Sequence, residues 1–99
     1  MIKLIKSINI KLDSIICKKE DIDDSDLDGE KVMMNLDKGQ YFMMNSVGSR
    51  IWEIINEPIS VGDIIYILVD EYEITLNECE GSLKKFIKEL WESELISFK

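Results

Sequence analysis

The residues of this chain best suited to chemistry are two cysteines, Cys17 and Cys79, an acidic run from Asp21 to Glu30, and three lysines, Lys84, Lys85 and Lys88; histidine is absent. Without histidine the commonest general base, proton shuttle and metal ligand is missing. The two cysteines stand far apart, fit no zinc-ligand spacing and no nucleophile context, and read as buried free thiols. Within the acidic run, Asp24, Asp26, Asp28 and Gly29 match the opening positions of an EF-hand calcium loop. Asn35 then falls where that loop needs a bidentate glutamate, and Lys31 where it needs an apolar residue, so no metal site is expected. Gly48 and Gly62 are isolated and form no phosphate-cradling loop. No catalytic residues, metal or cofactor are therefore expected, and the chain reads as a binding protein rather than an enzyme.

Charge narrows the choice of partner. The 99 residues carry a formal net charge of −8, with 45% hydrophobic and 32% charged residues. A surface of that sign repels phosphate backbones unless cations are gathered locally. The three lysines are accompanied by Glu78, Glu80, Glu89, Glu92 and Glu94, so they make no basic face, and nucleic acid is not an expected partner. No apolar run is long enough to span a bilayer, so no membrane association is expected. The opening MIKLIKSINIKLDSIICKK scatters lysines through its apolar residues, unlike a secretion signal, and a cytoplasmic location is expected. Residues 1–99 are read as a single domain, with an N-terminal strand region over 1–20 and a solvated acidic loop over 21–29.

The positioning elements follow from periodicity. Ile8, Ile10 and Leu12 alternate with Asn9 and Lys11, and Ile15-Ile16-Cys17 follows, predicting one strand and a second shortly after. Val32, Met34 and Leu36 alternate with Lys31, Met33 and Asn35, and Phe42 and Met44 alternate with Tyr41 and Met43. Asp37-Lys38-Gly39 joins the two runs into an antiparallel hairpin in which Gly39 takes positive φ. Asn45 caps a helix carrying Val47, Ile51, Ile54 and Ile55, which ends before Pro58. Ser60 with Asp63, and Thr75 with Glu78, are capping boxes for two further helices. The second buries Val61, Ile64, Ile65 and Leu68; the third carries Leu76, Cys79, Leu83, Phe86, Ile87 and Leu90 as one stripe. The expected class is α+β, with about three antiparallel strands followed by three helices.

The order of glycine, Tyr41, Phe42, Asn45, Gly48 and Ile51-Trp52, continued by Tyr72, Leu90 and Leu95-Ile96, resembles the PqqD family over roughly Asp28 to Ile96. Members of that family are leader-peptide recognition domains of pathways that modify ribosomally made peptides. The resemblance implies a winged-helix-like arrangement. It also implies that a precursor's leader segment lies antiparallel beside the last hairpin strand, in a groove closed by the last helix. Carried onto this chain, the strand is Gln40, Tyr41, Phe42, Met43 and Met44, and the groove wall is Cys79, Leu83, Phe86, Ile87 and Leu90. The implied partners are the leader peptide and a maturation enzyme, whether protease, cyclase or radical enzyme; separate leader-binding proteins of lasso pathways are of this size. Consecutive methionines at 33-34 and 43-44 depart from the branched aliphatic or small residues more usual there. Two rival readings are a winged-helix DNA-binding regulator and a homodimer formed through the sheet edge.

Overall fold

The computed structural model describes residues 8–99; the first seven residues of the N-terminal strand region read over 1–20 lie outside them. Six strands and three helices follow in the order β1 (Ile15–Lys18), β2 (Ile22–Leu27), β3 (Glu30–Asn35), β4 (Gln40–Met43), α1 (Ser46–Ile54), β5 (Ile59–Ser60), α2 (Val61–Glu71), α3 (Leu76–Glu92) and β6 (Ile96–Phe98). They make two three-stranded antiparallel sheets, β5-β1-β6 and β2-β3-β4. The class is the expected mixed one, with twice the expected number of strands. The additional strands were hard to read because β5 and β6 are two and three residues long, too short for an alternation to register.

The first sheet is closed by long-range pairing. Ile16 is fully buried at its centre, opposite Ile59 on one side and Phe98 on the other. The run Ile8 to Leu12 is not a strand. Ile10 is nevertheless buried, and the Leu12 carbonyl accepts from the Gly62 amide at 2.8 Å, so this segment packs across the start of α2.

The second sheet is the wing, and it corrects the reading of residues 21–29 as a solvated loop. Ile22 to Leu27 pairs residue for residue with β3, from Ile22 opposite Asn35 to Leu27 opposite Glu30. The turn is Asp28-Gly29, both at positive φ (54° and 85°), the geometry of the tightest hairpin connections. Acidic side chains hide β2 from a hydrophobicity pattern, yet they suit an edge strand, where charge discourages pairing with other chains. Asp26 pairs with Lys31 at 3.0 Å, and Asp24 accepts from the Trp52 indole N–H at 2.9 Å.

Gly39 lies at φ 63°, as the hairpin required. The alternation in β3 holds with a definite phase: Met33 and Asn35 are buried, whereas Leu36 is 62% exposed. The buried set faces α1, which explains the choice. The Lys31 amide donates to the Ser49 hydroxyl at 2.8 Å, and that hydroxyl lies 3.3 Å from the Met44 carbonyl, so a helix side chain completes the end of the β3-β4 ladder.

The three caps are formed as the sequence indicates. Asn45, Ser60 and Thr75 accept from the amides of Gly48, Asp63 and Glu78 at 2.8, 3.1 and 3.2 Å. The core runs through both layers, with Ile16, Met33, Trp52, Ile55, Ile64, Ile87, Leu95 and Ile96 all at 1% exposure or less.

Candidate functional site

β4 is an edge: in the sheet order β2-β3-β4 no described strand lies on its far side. Which of its groups face outward follows from the ladder. The Met44 amide donates to the Lys31 carbonyl at 2.9 Å, and hydrogen-bonded and non-bonded pairs alternate along an antiparallel ladder. Phe42 and Gln40 therefore spend their main-chain groups on β3, while the N–H and C=O of Tyr41 and Met43 point to the open side. The opposite edge of the same sheet is the acidic β2, so β4 is the edge an incoming strand can approach.

At the C-terminal end of β4 opens a cavity of about 510 Å³. Three helices build it: the start of α1 with Asn45, Gly48 and Ile51, the end of α2 with Leu68 and Tyr72, and the face of α3 that carries Cys79, Leu83 and Phe86. The junction between edge and cavity is Gly48. A Cβ there would meet the Phe86 ring at 3.2 Å and the Met44 sulfur at 3.3 Å, so glycine is what lets strand end and helix approach this closely. Asn45 secures the same corner by capping α1. Asn45→Ala should lower stability by ~1 kcal/mol, read as a shift in the urea midpoint at constant slope; no shift would show that α1 is held by packing alone.

The residues expected to bind peptide separate into three groups. Gln40 is exposed, and Tyr41 and Met43 are 72% and 68% exposed, with side chains on the face of the wing away from the helices. Phe42 is half-buried and packs on the core; Met44 is 9% exposed. Cys79, Leu83 and Phe86 line the cavity, whereas Ile87 and Leu90 are buried in the core and are not part of its lining. Sequence reasoning omitted the other wall, contributed by Val47, Gly48, Ile51, Leu68, Tyr72 and Ile74. Asn45, Gly48 and Tyr72 were signalled as part of the family-like order, but no local pattern says that these helices converge.

Electrostatics around the site are those of packing. Burial pushes the Cys79 thiol pKa up, which keeps it protonated and unreactive. Lys18 lies 4.5 Å from the Trp52 ring centroid; its pKa is lowered by burial, against the pull of Asp24. Arg50 holds Glu71 with bonds of 2.8 and 2.5 Å, which raises the arginine pKa and lowers that of the glutamate. Of the α3 lysines, Lys84 is paired with Glu80 at 2.9 Å, and Lys85 and Lys88 are exposed, so no basic face forms. Among the described residues no group of three or more histidine, cysteine or acidic side chains could hold a metal, and no helix is long and apolar enough to cross a membrane.

A small wing sheet with an open edge thus adjoins a helix-lined, largely apolar cavity. The chain belongs to the PqqD family: the model of coenzyme PQQ synthesis protein D matches residues 30–96, from the start of β3 into β6. No curated protein matches the chain. Among solved structures, that described as TbiB1 in complex with the TbiA(beta) leader peptide is 28% identical, with a TM-score of 0.78 over 82% of this chain and 94% of that one. A lasso peptide synthetase B1 complexed with the leader peptide is 20% identical, with a TM-score of 0.75 over 83% of this chain and 96% of that one, and shares the fold.

Proposed function

We propose that this protein binds the leader segment of a ribosomally made precursor peptide by strand addition to β4 and delivers it, without catalysis of its own, to a maturation enzyme. The observation that carries the reading is the unpaired edge of β4 opening directly onto the cavity between α1, α2 and α3. An extended peptide completes the ladder through the outward groups of Tyr41 and Met43 and runs antiparallel, as the strand pairs among the described residues do.

The magnitudes require both parts of the site. Four outward main-chain groups at a net ~1 kcal/mol each supply about 4 kcal/mol, whereas association and ordering cost roughly 4–15 kcal/mol. The edge alone gives no stable complex. Burying one large apolar side chain of ~150 Å² in the cavity adds about 4 kcal/mol, and two such anchors bring a micromolar complex, ~8 kcal/mol net, within reach. Cys79, Leu83 and Phe86 thus set specificity, and Phe42, Met44, Ile87 and Leu90 hold the wall in place from behind.

Delivery calls for a second surface, and the outer face of the wing fits it. Half-buried Met34 stands opposite exposed Tyr41, and half-buried Val32 opposite exposed Met43, so four apolar side chains lie side by side, away from the cavity. Contiguous exposed apolar side chains of this kind mark protein interfaces. DNA binding finds no counterpart in the charge of α3, and self-pairing through β4 would compete with the leader for the same groups. Isothermal titration with the leader of the precursor encoded beside this protein should give a 1:1 complex at micromolar Kd or tighter. Absence of heat and of saturation would overturn the reading.

A further inference from the structure

The cavity beside β4 is apolar in its body and acidic at its mouth. Among the described residues, the charged side chains lining it are Glu73 and Glu78. Neither forms an ion pair among the described residues; Glu78 accepts from the Thr75 hydroxyl through Oε1 alone. Arg50 is paired with Glu71 and Glu53, and Lys84 with Glu80. The starts of α1 and α3 present positive dipole ends here, but each amounts to about half a charge and is already capped, and the end of α2 opposes them. Two full carboxylate charges therefore decide the sign of the cavity mouth.

Resting on the leader-binding reading, we infer that Glu73 and Glu78 select the charge of the bound peptide: the segment seated in the cavity carries a lysine or arginine next to an apolar or aromatic side chain. The apolar group enters between Leu83, Phe86 and Ile51. The neighbouring cation lays its aliphatic stem along Val47 and Tyr72, which are 43% and 38% exposed, and brings its head to the glutamates. An acidic residue at that position meets like charge and is rejected. Because the cavity adjoins the Met44 end of β4 and pairing is antiparallel, the cation lies on the N-terminal side of the stretch that pairs with β4.

A displayed library of random peptides, panned on the full chain and on two variants, tests this. One variant is Glu73→Gln with Glu78→Gln, which keeps a capping side chain at position 78. The other, Glu57→Gln with Glu92→Gln, removes the same charge from exposed positions outside the cavity lining. The parent and the control should enrich peptides with a basic residue beside an apolar one, N-terminal to an extended stretch. Fluorescence anisotropy on individual enriched peptides should show affinity falling roughly three- to tenfold in the cavity variant and less than about twofold in the control. Enrichment of apolar residues without a cation, an acidic consensus, or equal losses in both variants overturns the charge selection while leaving strand addition standing. If no peptide is enriched by any of the three proteins, the leader-binding reading falls and the inference with it.

Discussion

Met43→Pro should weaken leader binding by roughly 30-fold or more while leaving the protein folded, and Met43→Ala should not. The Met43 amide points away from β3, so proline removes an outward donor without breaking a ladder bond, and an edge strand tolerates it there. The ring also obstructs the incoming strand. One lost hydrogen bond at ~1 kcal/mol and displaced neighbouring pairs together make about 2–4 kcal/mol, or roughly 30- to 1,000-fold in Kd. Alanine keeps the amide and removes a side chain that is 68% exposed, so its Kd should change less than threefold, a difference of about 0.6 kcal/mol. Titration of both variants, with thermal unfolding to verify the fold, decides the matter: equal affinities for Met43→Pro and the parent would mean that the peptide does not use this edge. On the proposed reading the side chains, by contrast, serve delivery. Tyr41→Ser with Met43→Ser should bind leader normally and lose maturation of the full precursor by its enzyme.

Trp52→Ala should carry the largest stability loss in the molecule. Trp52 is 1% exposed on the inner face of α1, donates to Asp24 of β2 and lies beneath the Lys18 ammonium. It joins the wing to the helical body. Truncating a buried tryptophan costs about 3–5 kcal/mol, a large part of the ~5–15 kcal/mol that holds a domain together. For a chain of this length that corresponds to at least ~12 °C in Tm. Trp52→Phe separates the contributions: the ring volume largely stays and the bond to Asp24 goes, which at this partly solvated position costs ~1 kcal/mol. Hydrogen exchange should show the loss concentrated in β2 and β3. A Trp52→Ala protein melting within about 3 °C of the parent would mean that wing and helices are held together by other contacts.

Both predictions rest on features that were unequally visible in the chain. The outward direction of the Met43 amide follows once the hairpin is placed, and the hairpin is local: a glycine that must take positive φ and two alternating runs. Trp52 is different. The helical stripe through Val47, Ile51, Ile54 and Ile55 left it to one side, yet it is more deeply buried than Val47, which is 43% exposed. The reason is β2, whose acidic residues read as loop and whose Asp24 supplies the partner that buries the indole. Local periodicity cannot report that a run of aspartates will pair with β3, because the pairing energy lies in main-chain groups common to every residue.

What the amino-acid order determined by itself was each element whose signal is confined to a few residues: three helices with their caps at Asn45, Ser60 and Thr75, the β3-β4 hairpin, and the absence of histidine chemistry. Only the tertiary structure decided the phase of β3, the closure of β1 by strands distant in sequence, and the meeting of three helices around Gly48. These depend on contacts between distant residues, whose free energy is realised only when the whole chain has paid its entropy of ordering. The hairpin that carries the proposed binding edge was therefore legible in the chain, whereas the cavity beside it came only with the fold.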